Sequence, residues 1–171
     1  MRDNMVSATE PDWSREAKGL IEWVPSKSLL YSIRAYQRHA NADGIFHSLA
    51  RRLSVIRHRF WSVITGADIP INTILGGGLL IPHPNGIVIH PDVIVGPNCL
   101  IFQQVTIGTT RGGIPVIGGH VDIGAGARVL GPIKVGDNCV IGANSVLLED
   151  LPPGSTAVGV PAKRIIRSNM P

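Results

Sequence analysis

The chain has 171 residues, of which 44% are hydrophobic but only 5% aromatic, and it contains 20 glycines and 13 prolines. A chain of this length forms one domain with a real core, and this composition favours a core of Ile, Val, Leu and Ala with many turns over a bundle of long helices. Its two cysteines, Cys99 and Cys139, form neither a disulfide framework nor a metal-ligand spacing, so we expect no metal.

The net charge of +4 belongs to the N-terminal part of the chain, whose densest basic cluster is Arg51, Arg52, Arg57, His58 and Arg59. Such a cluster can face nucleic acid, an acidic membrane surface or a neighbouring subunit, or it can be a solvated helix face. Because no set of stacking aromatic residues accompanies it, we expect no nucleic-acid partner, and we keep peripheral membrane contact as an alternative. The absence of a leader-like segment and of a bilayer-long apolar run predicts a soluble, cytoplasmic protein.

The N-terminal region, residues 1–65, is predicted to be helical in part. Residues 1–28 carry little pattern and are either a loosely held arm or a short helix, whereas residues 28–40 favour a helix. A second helix is predicted after Asp43 and is expected to stop at Gly66. Its apolar side chains recur at three- and four-residue steps and need a partner; they are Ile45, Phe46, Leu49, Leu53, Ile56, Phe60, Val63 and Ile64.

After Gly66 the helical period gives way to a period of six. Aliphatic residues recur at every sixth position in two series, Ile89, Val95, Ile101 and Ile107, then Ile117, Ile123, Val129, Val135, Ile141 and Leu147. A second inward lane carries mostly small or modest residues, namely Val93, Cys99, Val105, Val121, Ala127, Ile133, Cys139 and Ser145. This pattern is typical of a hexapeptide solenoid whose stacked coils bury a continuous aliphatic interior. Both cysteines fall in the second lane, two coils apart, so we expect them to be free, buried and inert.

Two places interrupt this period. Ten residues separate Ile107 from Ile117 where six would suffice, which predicts a polar, glycine-rich loop that leaves the wall. The other place is His83 in the stretch IPHPNGIVIH, residues 81–90. An unbroken period would make His83 a core residue, but Pro82, Pro84 and Asn85-Gly86 are turn residues that break the ladder and favour an exposed ring.

Residues 66–165 resemble the hexapeptide acyltransferases, in particular the serine O-acetyltransferase branch with its relatives in polysaccharide gene clusters. The matching segments are Gly66-Ala67-Asp68-Ile69, His83 fifteen residues later, Gly86–Ile89, Val105–Gly108, Ile123–Val146 and Val158–Ala162. The resemblance implies a left-handed parallel β-helix over residues 66–166, followed by a tail at 167–171. It also implies a homotrimer, or a dimer of trimers, with sites between subunits and acetyl-CoA as co-substrate.

The resemblance also implies roles for particular residues. His83 matches the family's catalytic histidine and Asp68 the carboxylate that orients it. For the cofactor, Gly108, Thr109 and Thr110 match a contacting loop, Ala125 and Ala143 match small residues along the pantetheine arm, and Lys163 and Arg164 lie where a basic end can meet the nucleotide phosphates. Histidine suits this chemistry because an imidazole exchanges its proton near neutral pH, and an alcohol must lose its proton to attack a thioester.

Three positions depart from the serine branch. Pro82 replaces an aspartate, and Gly113 and Ile114 replace a basic pair that grips the amino-acid acceptor. We therefore predict an acetyl-CoA-dependent O-acetyltransferase of the serine acetyltransferase type, with two alternatives. In the first, the acceptor is a sugar hydroxyl on a polysaccharide precursor instead of L-serine. In the second, the solenoid is a non-catalytic scaffold that docks a partner through Arg167–Pro171.

Overall fold

The computed structural model describes residues 6–19, 22–110 and 112–165. A short 3-10 helix, Trp13–Arg15, precedes two α-helices that contact each other, α1 (Pro25–His39) and α2 (Ile45–Thr65). Pro25 occupies the first turn of α1, where its missing N–H costs nothing. Gly66 ends α2 in the left-handed conformation (φ 63°), as the sequence predicted. The tail at 167–171 lies outside the described residues.

A three-sided prism of parallel strands follows the helices. Face A contains β2 (Val88–Ile89), β5 (Thr106–Gly108), β8 (Arg128–Leu130) and β11 (Val146–Leu147). Face B contains β1 (Ile74–Leu75), β3 (Ile94–Val95), β6 (Val116–Ile117) and β9 (Lys134–Val135). Face C contains β4 (Leu100–Ile101), β7 (Asp122–Ile123), β10 (Val140–Ile141), β12 (Thr156–Gly159) and an antiparallel last strand, β13 (Ala162–Ile165). The chain thus forms the predicted left-handed parallel β-helix, with about five turns.

The two inward lanes predicted from the period of six form the core. All ten aliphatic residues of the first lane are buried, from 0% exposed at Ile101 and Ile107 to 3% at Val135. The residues of the second lane are buried as well, including Cys99 and Cys139 at 0%. The prism interior is therefore a continuous aliphatic column, as the sequence predicted.

Both cysteines are free and buried, which confirms that prediction. Burial raises the pKa of the Cys99 thiol to about 11 and also raises the pKa of Cys139. The Cys99 Sγ lies 3.2 Å from the Gly118 carbonyl oxygen and the Cys139 Sγ lies 3.1 Å from that of Pro152. Because the thiolate is the reactive form, neither residue is suited to act as a nucleophile near neutral pH.

The N-terminal helices close one end of the prism. Leu29, Leu30 and Ile33 of α1 are at most 1% exposed and belong to the same hydrophobic core as the prism. Arg34 forms a 2.8 Å ion pair with Glu16 and donates a 2.7 Å hydrogen bond to the Gly76 carbonyl of the first coil. Helix α1, which carried only a weak apolar pattern in the sequence, is therefore the element that seals the prism.

Residues 6–19 form a strap along the corner between faces B and C. Asn98 is fully buried at φ 60°, and its Nδ2 donates 2.7 Å hydrogen bonds to the Ser7 and Glu10 carbonyl oxygens. A Cβ on Gly119 would lie 1.7 Å from the Ala8 carbonyl oxygen, so only glycine allows this close approach. Of the two alternatives for residues 1–28, the short helix is present at Trp13–Arg15, and the loosely held arm is wrong for residues 6–19, because buried hydrogen bonds anchor the strap.

The basic cluster of α2 is only partly a solvated face. Arg51 caps the end of α1 by donating to the carbonyl oxygens of His39, Ala40 and Ala42 at 3.1 to 3.2 Å. The Arg57 guanidinium lies 4.9 Å from the Tyr31 ring centroid, and the His58 Nε2 lies 2.8 Å from the Ile69 carbonyl oxygen. Three members of the cluster therefore hold the helical cap together, which leaves Arg52 and Arg59 exposed.

Among the described residues, no helix is both long enough and apolar enough to cross a membrane.

Candidate active site

His83 leaves the prism wall at an insertion of two residues. Leu80 pairs with Leu100, and Val88 pairs with Thr106. Leu80 and Val88 are eight positions apart in the sequence, whereas their partners are six positions apart. The extra residues belong to the Pro82–Gly86 turn between faces C and A, where Gly86 has φ 69°. His83 is exposed, while Ile81 and Ile87 on either side are buried. The predicted break in the register is therefore confirmed, and the core-histidine alternative is wrong.

Asp68 lies near this turn, on the neighbouring part of face A. It pairs with Val88, its N–H donates to the Ile87 carbonyl oxygen at 2.8 Å, and its side chain is exposed. Within the described part of this single chain, no hydrogen bond or ion pair joins the Asp68 carboxylate to the His83 ring. The two side chains thus share one end of the prism wall, and their direct contact stays a prediction.

The turns of successive coils stack at the corner between faces C and A, which we call the His83 corner (residues 82–86, 102–104, 124–126 and 142–144). The Gln104 N–H donates to the Asn85 carbonyl oxygen at 2.9 Å, and the Asn144 N–H donates to that of Ala125 at 2.8 Å. Ala125 is partly exposed and Ala143 is exposed. The structure therefore brings His83, Ala125 and Ala143 onto one edge of the prism, although they are up to sixty positions apart in the sequence.

The predicted loop leaves the wall at the opposite edge of face A. Gly108 pairs with Leu130 and Val116 pairs with Lys134, so the loop contains four residues more than the coil that follows it. Thr109 and Thr110 are exposed, and Thr110 forms a β-bridge with Gly113. Since Gly108 aligns with Leu130, the loop leaves face A at the edge opposite Ala125, with the full width of strand Arg128–Leu130 between them. In one chain, the loop and the His83 corner are therefore separate.

Packing against the prism explains the residue types at Gly113 and Ile114 of the loop. A Cβ on Gly113 would lie 2.2 Å from the Pro132 Cβ, so this position has no room for a side chain. Ile114 is partly buried and packs against the core. Gly113 and Ile114 consequently lie against the prism and present no charged side chain there.

The C-terminal basic residues lie on β13. Lys163 forms an exposed ion pair with Glu149, with Nζ 3.2 Å from Oε1, and Arg164 is exposed. One polar group at the His83 corner could not be predicted: the Gln103 Oε1 is buried without a hydrogen-bond partner among the described residues. Its place in the turn before strand Thr106–Gly108 is a sequence signal only for a turn residue, and does not indicate burial. No group of three His, Cys, Asp or Glu side chains suited to a metal occurs in the part of the chain described.

Comparisons with known proteins define the class first. The family model described as "Bacterial transferase hexapeptide (six repeats)" matches residues 114–149. A serine acetyltransferase from Helicobacter pylori (strain J99) is 45% identical over 133 residues, which cover 75% of this chain and 75% of that protein. A serine acetyltransferase from Staphylococcus aureus (strain Mu50) is 37% identical over 169 residues, covering 94% of this chain and 75% of that protein.

Solved structures agree with this class. A serine acetyltransferase in complex with CoA matches with a TM-score of 0.69 at 32% identity, covering 84% of this chain and 58% of that one. Soybean serine acetyltransferase complexed with serine matches with a TM-score of 0.70 at 34% identity, with the same coverage. The chain belongs to the serine acetyltransferase family of hexapeptide-repeat transferases. It spans 61% of the Mycobacterium tuberculosis relative and 46% of that from Synechococcus elongatus, both named serine acetyltransferase.

Proposed function

We propose that the protein is an acetyl-CoA-dependent O-acetyltransferase of the serine acetyltransferase type. The observation that carries this proposal is the two-residue insertion that holds His83 outside the aliphatic column, on the edge that also carries Ala125 and Ala143. An inward wall position would have buried the ring, and an exposed imidazole on an edge with small residues suits a proton acceptor next to an extended thioester. The similar proteins solved with CoA and with serine support the same assignment.

In this reaction His83 acts as general base. Its ring nitrogen takes the proton of the acceptor hydroxyl as the oxygen forms a bond to the acetyl carbon. The bond between that carbon and the CoA sulfur then breaks, and the sulfur takes the proton back from the His83 ring as it leaves, so the acetyl group passes directly to the acceptor and His83 is neutral again. No covalent acyl-enzyme is needed, in agreement with the buried, weakly acidic Cys99 and Cys139.

Asp68 is proposed to position His83. A carboxylate on the second ring nitrogen selects the tautomer and stabilises the imidazolium that forms as the proton moves. Because Asp68 does not touch the reacting atoms in this scheme, Asp68→Asn should lower kcat while leaving the KM for acetyl-CoA nearly unchanged. A rise in that KM with kcat preserved would assign Asp68 to binding instead.

We further propose that the complete site lies between subunits of a homotrimer. Thr109 and Thr110 lie on one edge of face A and Ala125 and Ala143 on the other, with the width of the face between them. A threefold arrangement would bring the loop of one subunit to the His83 corner of its neighbour, so that one CoA contacts both. Lys163 and Arg164, exposed on β13, are proposed to meet the nucleotide phosphates, with Lys163 exchanging its exposed pairing with Glu149 for a phosphate.

A sugar hydroxyl is the second candidate acceptor. Gly113 has no room for a Cβ, and Ile114 packs on the core, so neither position of the loop offers a charged group for the ends of an amino acid. A neutral acceptor needs no such group, and an acceptor on a polysaccharide precursor fits that condition. The first candidate remains L-serine, since the similar proteins are serine acetyltransferases.

Release of CoA thiol from acetyl-CoA tests the proposal. We expect release with L-serine, with a panel of sugars run alongside, and His83→Ala should lower the rate by about 10²- to 10⁴-fold. His120→Ala is the matched control, because His120 is a partly exposed histidine at the corner between faces B and C, where its Nδ1 lies 2.9 Å from the Asn138 Oδ1, and it should retain the rate. Undiminished release by the His83→Ala protein would contradict the mechanism. Absence of CoA binding and of release with every acceptor would favour the scaffold alternative.

A further inference from the structure

The outer side of helix α2 carries an apolar stripe that the described residues leave largely exposed. Six of its side chains follow alternating three- and four-residue steps, and two more widen the stripe at the helix ends. All eight are between 45% and 83% exposed: Ile45, Phe46, Leu49, Leu53, Ile56, Phe60, Val63 and Ile64. The opposite side of the helix, with Ser54 and Thr65 at 4% exposure, packs inward. The stripe is thus turned away from the core of its own chain.

The exposed stripe is too large for an ordinary surface. With side chains of about 150 to 200 Å² each, the eight exposed fractions amount to roughly 800 to 1,000 Å² of apolar area. The largest apolar patch on a typical monomer is about 300 to 600 Å², whereas one side of a stable interface buries about 800 Å². A face of this size is expected to be covered in the working protein.

The charges beside the stripe favour an anionic lipid surface over a second copy of α2 as the partner that covers it. No acidic residue occurs between Asp43 and Asp68. At 100° per residue, Arg52 and Arg59 lie along one edge of the stripe and Arg57 along the other. A second α2 packed on the stripe would place arginines against arginines with no carboxylate to pair them. A surface of anionic lipids instead supplies phosphates for the arginines and hydrocarbon for the stripe.

We propose that α2 docks the protein on an anionic membrane surface. The helix, about 31 Å long at 1.5 Å per residue, lies parallel to the surface with its stripe entering the boundary between headgroups and acyl chains. Arg52 and Arg59, which are exposed and make no hydrogen bond within the described residues, reach the lipid phosphates from the edge of the stripe. Helix α1 and the prism, on the inner side of α2, remain in water.

Co-sedimentation of the full chain with lipid vesicles tests this proposal. Phosphatidylcholine vesicles and vesicles containing about one-third phosphatidylglycerol are compared, and we expect binding to the second that weakens as salt is raised. The double variant Arg52→Gln/Arg59→Gln should lose roughly tenfold or more of this binding. Binding that ignores lipid charge and salt would overturn the role of the arginines.

A matched pair of substitutions separates the stripe from general surface hydrophobicity. Ile56 on the stripe is 65% exposed and Ile74 on face B is 59% exposed. Ile56→Gln should weaken vesicle binding roughly tenfold, whereas Ile74→Gln should leave it unchanged, and both should keep the unfolding temperature because neither residue is buried. Equal binding by the two variants, or no binding by the wild type, would refute membrane docking.

Analytical ultracentrifugation without lipid provides the second measurement. If α2 docks on lipid, the wild type and Ile56→Gln have the same mass in solution. A lower mass for Ile56→Gln would assign the stripe to a second copy of the chain and overturn the proposal. Neither measurement depends on the acetyltransferase assignment, so failure of one proposal leaves the other intact.

Discussion

The regular coils of the prism and its two interrupted corners are built from the same repeat but serve different ends. In the regular coils, every sixth side chain is buried and the strands pair with an offset of eighteen residues, as between Val88 and Thr106. Two extra residues at the His83 turn and four in the loop after Gly108 change that offset and expose polar side chains. The repeat thus supplies the buried core, and the side chains proposed to act on acetyl-CoA lie where the repeat is broken.

Removing a side chain from the regular wall should have the largest effect on stability. Ile107 is fully buried, so Ile107→Ala should lower the free energy of unfolding by about 2 to 5 kcal/mol. The control Ile74→Ala, at a position that is 59% exposed, should cost less than about 1 kcal/mol. Urea denaturation followed by circular dichroism measures both. Equal costs would mean that burial in the wall does not determine stability.

Restoring the repeat at the loop should lower activity and leave stability nearly unchanged. Deleting residues 110–113 returns this coil to its regular length, so the unfolding temperature should change little. Thiol release from acetyl-CoA should fall about 100-fold or more, because the groups proposed to contact the co-substrate are lost or displaced. A deletion variant with a much lower unfolding temperature and undiminished thiol release would contradict this prediction.

The strap tests a third kind of contact, which depends neither on the repeat nor on its interruptions. Asn98→Ala removes the two bonds to Ser7 and Glu10 and a 2.8 Å bond accepted from the Asp12 N–H, and should cost about 2 to 3 kcal/mol. Asn138→Ala is the matched control, because Asn138 has nearly the same φ (58°) and lies at the same corner two coils later. Protease cleavage within residues 6–19 should increase only in the Asn98 variant.

Cys99 predicts a smaller, pH-dependent effect. Its pKa is raised by burial from 9.0 to about 11, so the thiol ionises first in the unfolded chain. The stability that the protonated thiol contributes is fully present below pH 9 and is lost as the pH rises toward 11. At pH 10 the loss is about 1 kcal/mol. The difference in unfolding free energy between wild type and Cys99→Ala, measured from pH 8 to 10, should shrink accordingly. A constant difference would show that the thiol is not shielded from solvent.

Much of the fold was predictable because its signals are local. The period of six identified both inward lanes, and Gly66 marked the end of α2, since a helix terminus and a strand register each depend on a few neighbouring residues. The exposure of His83 followed from the prolines beside it. The sealing role of α1 and the anchoring of the strap could not be predicted, because each depends on partners more than forty positions away.

The solenoid, its two lanes and the two breaks in its repeat follow from the sequence alone, because the buried positions recur along each coil every six residues. Only the tertiary structure decided which of those places meet. It brought His83, Ala125 and Ala143 to one edge and the loop to the other, and it turned the stripe of α2 away from the core. The physical reason is that the stacking of coils and the packing of α1 on the prism join residues through long-range contacts, which no local period encodes.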